Sequence, residues 1–323
     1  MEYIRYFEEH SNHQAFIDSD LFGYAKLSYC GEEKDVVYRK YKEDPYLTFI
    51  SEQDGSRVAL NRSTTSATIN GLLKYSTNNG KNWENYTFTR QGESYCGLTI
   101  TLNENDSLMF KGTLPQTNFK FSISGKVSAK GDITSLHNGV GGDFALVSNS
   151  MYKMFHNCTG LTTAPNLPST TLSINCYDSM FSGCTSLTTA PALPATNLSG
   201  ASSCYNGMFG GCTSLTTAPA LPATTLASSC YEGMFRGCTS LTTTPNLLSE
   251  TLVSDCYAYM FSGCSKVNYI KALFLTTPIW GYTGDWVRGV KSTGTFVKNS
   301  AATWTTTGNN GIPKNWTVQT ASS

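Results

Sequence analysis

Cys176-Tyr177-Asp178-Ser179-Met180-Phe181-Ser182-Gly183-Cys184-Thr185-Ser186-Leu187-Thr188-Thr189-Ala190-Pro191-Ala192-Leu193-Pro194 opens one copy of a unit that recurs almost five times between Met151 and Val267. The Met-Phe pair returns at 154/155, 180/181, 208/209, 234/235 and 260/261, in steps of 26, 28, 26 and 26 residues. A near-fixed period of this size marks a solenoid, in which each copy lies on the next. Within one copy Cys176, Met180 and Cys184 stand at i, i+4 and i+8, with Tyr177 and Phe181 at i+1 and i+5. That spacing predicts a short helix with one apolar face, ended by Gly183 and Thr185-Ser186. Leu187 to Pro191 then reads as extended, with Leu193 and Leu198 as further inward anchors. One unit cannot close a core alone, so stability must come from its neighbours. The 28-residue step arises in Ser199 to Ser203, a link two residues longer than Ser173 to Asn175.

Phe181-x-x-Cys184-x-x-Leu187 followed by Leu193-Pro194 resembles the leucine-rich repeats of the BspA type, found on surface proteins of gut and oral Bacteroidetes and in their phages. The resemblance departs in its Met-Phe pair, where that family usually has Ala-Phe, and in a longer unit. It implies a leucine-rich-repeat solenoid over residues 146–268 and an adhesive role.

Composition narrows the classes. The chain has 323 residues, 23 basic and 23 acidic, for a formal charge of zero. No electrostatic footprint for nucleic acid or an anionic membrane is present, and no apolar run is long enough for membrane insertion. From Ala145 to Cys264 the charged residues are Lys153, Asp178, Glu232, Arg236, Glu250 and Asp255 alone, which leaves a nearly neutral Thr/Ser/Gly/Ala surface. The 11 cysteines include no Cys-x-x-Cys pair, so zinc is not expected. Cysteines eight apart on a helix are about 12 Å apart, too far for a disulfide. They read as buried thiols filling small apolar ladder positions. No cofactor motif is present.

Met1 to His10 lacks an apolar export segment. A bacterial surface protein of the BspA-like class should carry one, whereas a phage virion protein is assembled in the host cytoplasm and needs none. The expected location is therefore the virion surface.

Residues 1–45 are the most charged part. A helix is predicted from Glu2 to about His10, then strand, turn and strand over Lys26–Cys30, Gly31–Lys34 and Asp35–Tyr38. This segment resembles the amino-terminal segment of fibre-like proteins in Bacteroides phages, including crAss-like phages. The resemblance implies a docking or trimerising peg that contacts capsid or tail proteins; the other reading is an extra helix and strand on the next domain. His10 and His13 read as solvated polar residues. Residues 46–145 read as a β-sandwich spacer, with short strands at 46–50, 58–60, 67–69, 73–76, 83–86, 98–102, 107–110 and 119–123. Ser76-Thr77-Asn78-Asn79-Gly80-Lys81-Asn82-Trp83 resembles the Asp-box of sialidases, a non-catalytic hairpin turn in which the Asx side chain caps backbone amides and the Trp packs beneath.

Residues 269–323 read as a capping segment with four of the five tryptophans, Trp280, Trp286, Trp304 and Trp316. Trp304 and Trp316 are expected to pack the cap. Trp280, Tyr282 and Trp286 are candidate sugar-stacking residues. In the repeats, invariant positions such as Phe181 are held by packing, and the changing ones should face solvent. These are Asp178, Asn206, Glu232 and Ala258 after Cys-Tyr, and His156, Ser182, Gly210, Arg236 and Ser262 after Met-Phe. Asp178, Asn206, Glu232 and Arg236 are candidate ligand contacts, and the Thr162/188/216/242 ladder is a second possible surface.

The chain shows no nucleophile elbow, phosphate loop or His-Glu-x-x-His, and its repeats carry four carboxylates that form no pair. The sequence thus predicts a mainly β protein with short helices, a β-sandwich domain followed by a leucine-rich-repeat solenoid with a C-terminal cap. The expected function is a non-enzymatic head or tail fibre that binds host surface glycan or protein, as a homo-oligomer for which a trimer would suit. A bacterial surface adhesin and a polysaccharide depolymerase are the alternatives.

Overall fold

The computed structural model describes residues 22–29 and 32–39 by their backbone, and residues 45–63 and 69–321 in full. The chain divides into two compact units, Met1–Pro45 and Tyr46–Ser323. In the first, Phe22–Tyr29 and Glu32–Arg39 pair as an antiparallel hairpin, Phe22 opposite Arg39 and Tyr29 opposite Glu32. The two predicted strands fall within this hairpin, but Glu32, Glu33 and Lys34, predicted as turn, belong to the second strand, opposite Tyr29, Ser28 and Leu27; Cys30 and Gly31 lie outside the described residues. The helix predicted over 2–10, the two histidines at 10 and 13, and Ala67-Thr68 lie outside the described residues.

The second unit is mainly β. Its first part holds two sheets. One runs in the order Leu161–Thr163, Val127–Lys130, Leu47–Ser51, Ser107–Gly112, Leu73–Ser76 and Glu84–Asn85. The other runs Phe119–Ser124, Ser56–Arg62, Ser94–Gly97 and Phe88–Gln91, with Ile100–Leu102 also on Ser56–Arg62. The period of two along each strand sends alternate side chains to one face. Phe49 and Phe110 of the first sheet meet Phe121 of the second, with ring centroids 5.0 and 6.0 Å apart. The hairpin of Phe88–Gln91 and Ser94–Gly97 was not predicted, because its strands are mostly exposed and lack a hydrophobic alternation. In the Asp-box-like turn, Asn78 Oδ1 accepts the Asn82 N–H at 2.9 Å and Ser76 Oγ accepts the Gly80 N–H at 3.0 Å. Trp83 packs edge-on against Tyr46 at 5.2 Å.

In the repeats, the segment predicted as helix is instead a chain of tight turns. The N–H groups of Cys176, Asp178, Met180, Ser182 and Cys184 donate to carbonyls three residues back, closing each turn. The alternate N–H groups, of Asn175, Tyr177, Ser179, Phe181 and Gly183, donate to Ser202, Cys204, Asn206, Met208 and Gly210 of the next copy. Every backbone donor along 175–184 therefore has a partner, half within the coil and half in its neighbour. This satisfies the requirement that buried backbone groups be paired. Positive φ recurs every fourth residue, at Asn175 (55°), Ser179 (53°) and Gly183 (77°), and again at Ser203, Gly207 and Gly211. A helix admits no such residue, whereas a turn with a left-handed third position requires one. The apolar residues still share one face, because each turn advances four residues and returns the chain to the same side.

Stacking turns the repeat into ladders. Phe155, Phe181, Phe209, Phe235 and Phe261 follow one another at 5.4, 5.7, 5.7 and 5.8 Å with nearly parallel rings. Tyr177, Tyr205, Tyr231 and Tyr257 form a second column at 5.7, 5.7 and 5.9 Å. All of these rings are buried. The opposite side of each coil touches the next through single parallel bridges, Thr163 to Thr189, Thr189 to Thr217 and Thr217 to Thr243.

The stack is continuous with its flanks. Phe121 lies on Phe155 at 4.9 Å and 8°, and its N–H donates to Met154 O, so a strand of the second sheet starts the phenylalanine column. Val127–Lys130 likewise pairs in parallel with Leu161–Thr163. At the other end the ladder runs past residue 268. The N–H groups of Tyr257, Tyr259, Phe261 and Gly263 donate to Tyr282, Gly284, Trp286 and Arg288. Asn246–Leu247, Tyr269–Ala272, Thr295–Lys298 and Thr317–Thr320 form a parallel four-stranded sheet over the same side. Among the described residues no helix is long and apolar enough to cross a membrane.

Candidate functional site

The turn chain carries three columns on the side away from the ladders, half-buried to exposed except at Gly233 and Ala258. Two are the changing positions after Tyr and after Phe; the third is the left-handed position between them, occupied by Ser179, Gly207, Gly233 and Tyr259. This column and the next are glycine at Gly207, Gly211, Gly233 and Gly237, which contribute backbone alone to the floor. The result is a trough of about 400 Å³ walled by Ser182, Asn206, Glu232, Arg236 and Tyr259.

Its polar groups are partly engaged with one another. Asn206 Nδ2 donates to Glu232 Oε2 at 3.2 Å, across one coil spacing. The Arg236 guanidinium sits over the Tyr259 ring at 5.6 Å, a cation–π placement. Among the described residues Arg236 has no carboxylate partner. Tyr259 in turn meets Trp280 edge-on at 6.4 Å. Tyr259 holds φ at 56°, a region that costs a bulky side chain about 1–2 kcal/mol. The equivalent Ser179, Gly207 and Gly233 hold the same φ, so the turn sets this conformation and Tyr259 is the bulkiest residue that occupies it.

The predicted site residues therefore separate. Asn206, Glu232 and Arg236 are brought together in the trough. Asp178 lies one coil earlier, half-buried, with its carboxyl hydrogen-bonded to the Ser179 hydroxyl. Burial raises its pKa, opposed by that hydrogen bond and by Lys153. Ala258 is buried rather than exposed. Trp280 is 58% exposed, whereas Trp286 is fully buried and donates its indole N–H to Gly311 O at 3.0 Å. Trp286 stands in the methionine place of the ladder, so it packs the core and has no face for a ligand. Tyr282 is half-buried against the core in the place of Cys256. Trp304 and Trp316 are buried, with their indole N–H groups on Phe274 O and Lys291 O. Thr188 and Thr242 donate their hydroxyls to the carbonyls of Thr162 and Thr216 at 3.2 Å, so these groups bind the stack itself.

Beyond Tyr259 and Trp280 a second groove of about 490 Å³ continues along the last coils, lined by Trp280, Asp285, Lys291, Asn309 and Lys314 among others. Sequence reasoning missed Tyr259, Lys291 and Lys314. For Tyr259 a signal exists, since it stands where the equivalent residues are Ser179, Gly207 and Gly233. For the two lysines none exists, because they are 23 positions apart and meet only through the last two coils.

The ten described cysteines are free, and nine are buried. Burial pushes the Cys158 and Cys176 thiols up to about 12, so these are packing groups rather than nucleophiles. Among the described residues no cluster of His, Cys, Asp and Glu is placed to hold a metal. No protein-family model, curated protein or solved structure matches this chain.

Proposed function

We propose that this chain is a non-enzymatic phage fibre protein, of the head or tail, in which a β-sandwich starts a BspA-like leucine-rich-repeat solenoid that adheres to the host surface. The observation that carries the reading is the contrast between ladder and trough. The coils spend their repeated residues on one another, while the changing residues Asn206, Glu232 and Arg236 gather with Tyr259 and Trp280 on one outward strip. Aromatic rings beside hydrogen-bonding side chains over a bare backbone floor suit recognition of a flat polar surface such as a sugar. Glu232 is the one carboxylate that lines the trough, and glycoside hydrolysis ordinarily takes two. Weak single contacts repeated over an oligomer would give firm attachment by avidity.

Immunogold labelling of phage particles with antibody to residues 146–323, beside binding of the purified chain to candidate host cells, tests the reading. Label on head or tail projections together with cell binding is the expected result. Label on bacterial cells but not on particles would replace it with a bacterial adhesin. Release of reducing ends from capsular polysaccharide would replace it with a depolymerase.

A further inference from the structure

We infer that the groove beyond Trp280 binds an acidic saccharide, with the indole stacked on a sugar ring and Lys291 and Lys314 receiving its carboxylate. The inference deepens the adhesion reading above and rests on it.

The charge distribution points this way first. The whole chain is neutral, yet from Ser265 onward Lys266, Lys271, Arg288, Lys291, Lys298 and Lys314 face a single acidic residue, Asp285. Asp285 is already occupied. Its Oδ1 accepts from Asn309 Nδ2 at 3.1 Å, and its Oδ2 lies 3.5 Å from an Arg288 guanidinium nitrogen. One anion in the groove is thus matched by one cation and one amide. Lys291 and Lys314 line the same groove, both exposed. Neither ammonium has an ion-pair or hydrogen-bond partner among the described residues.

The aromatic wall is the second observation. Trp280 is the most exposed tryptophan, and the Tyr259 ring stands perpendicular to it at 6.4 Å. The other three tryptophans of this region are buried with satisfied indoles. A flat apolar ring beside two free ammonium groups fits a ligand with one apolar face and a negative charge at its rim. A uronic acid has both. A neutral sugar would leave the lysines unused, and a simple anion would leave the indole unused.

The test uses the full chain and calorimetric titration of galacturonic-acid oligosaccharides against galactose oligosaccharides of equal length. The expected result is binding of the acidic series only, weakened by raising salt from low to physiological strength. Lys291→Gln with Lys314→Gln should weaken it about tenfold or more, as should Trp280→Ala, with melting temperature unchanged. Equal binding of the neutral series, or full affinity in the lysine variant, would overturn the inference. Attachment of the same variants to host cells is read in parallel. Cells bound by wild type and variants alike would overturn the groove assignment and leave adhesion standing. Oligogalacturonate binding without any cell attachment would keep the groove and remove the adhesion reading.

Discussion

The thiol of Cys184 donates to the carbonyl oxygen of Phe155 in the preceding coil at 3.1 Å, and the same oxygen accepts the N–H of Cys158 at 3.0 Å. Cys212, Cys238 and Cys264 repeat the bond to Phe181, Phe209 and Phe235 at 3.1, 3.1 and 3.0 Å. A small side chain that fills the core and still offers a donor suits this place, and the thiol is weak enough to lie among apolar neighbours. Cys238→Ala should cost about 2 kcal/mol through lost packing and the lost donor. Cys238→Ser should cost less, because a hydroxyl still reaches for Phe209 O. Denaturant midpoints decide it, and equal losses would remove the donor role.

Alkaline pH should unfold the chain steeply. Burial raises the thiol pKa values, Cys256 to about 11 and Cys158 and Cys176 to about 12. A group whose pKa is raised by folding contributes fully below its unfolded value, near 8.5–9, and loses that contribution as pH climbs toward the folded one. Each thiol then removes about 1 kcal/mol per pH unit in that window. With nine buried thiols, melting temperature should be flat from pH 7 to 8 and fall sharply above pH 9. A gentle slope across pH 9–11 would show the thiols are not buried in solution.

Phe121 tests whether the sheets and the coils share one core. It stacks on Phe155 at 4.9 Å although it belongs to the strand Phe119–Ser124. Phe121→Ala should cost about 3–5 kcal/mol and lower one cooperative transition. A variant that melts in two steps, with the coils unaffected, would show the two parts are independent.

Tyr259 carries a cost that its neighbours in the column avoid. Tyr259→Asn, which tolerates the left-handed region, should raise stability by up to about 1 kcal/mol. The same change should weaken ligand binding by removing the ring beside Arg236 and Trp280. A lower melting temperature would mean that the ring contributes more by packing than its backbone costs.

The sequence by itself determined the coil. A 26-residue period carrying Cys, Tyr, Met, Phe, Cys and Leu in the same places can bury those residues only by stacking. Their burial follows from that periodicity, whereas Trp280 and Trp286 read alike in the sequence and only the structure separates the exposed ring from the buried one. Local conformation was less legible. A spacing of four suits a helix or a chain of turns, and the glycines at Gly183, Gly207 and Gly211 hint at the turns only in part, because Ser179 and Ser203 hold the same left-handed conformation without a distinctive side chain. Tertiary structure alone decided three matters. Phe121 extends the phenylalanine column from a strand, because a ring in a ladder position stacks whatever element carries it. Trp286 replaces a methionine inside the core, because the last coils keep the backbone ladder after losing the motif. Lys291 and Lys314 share a groove with Trp280, because residues far apart in the chain become neighbours when one coil is laid on the next.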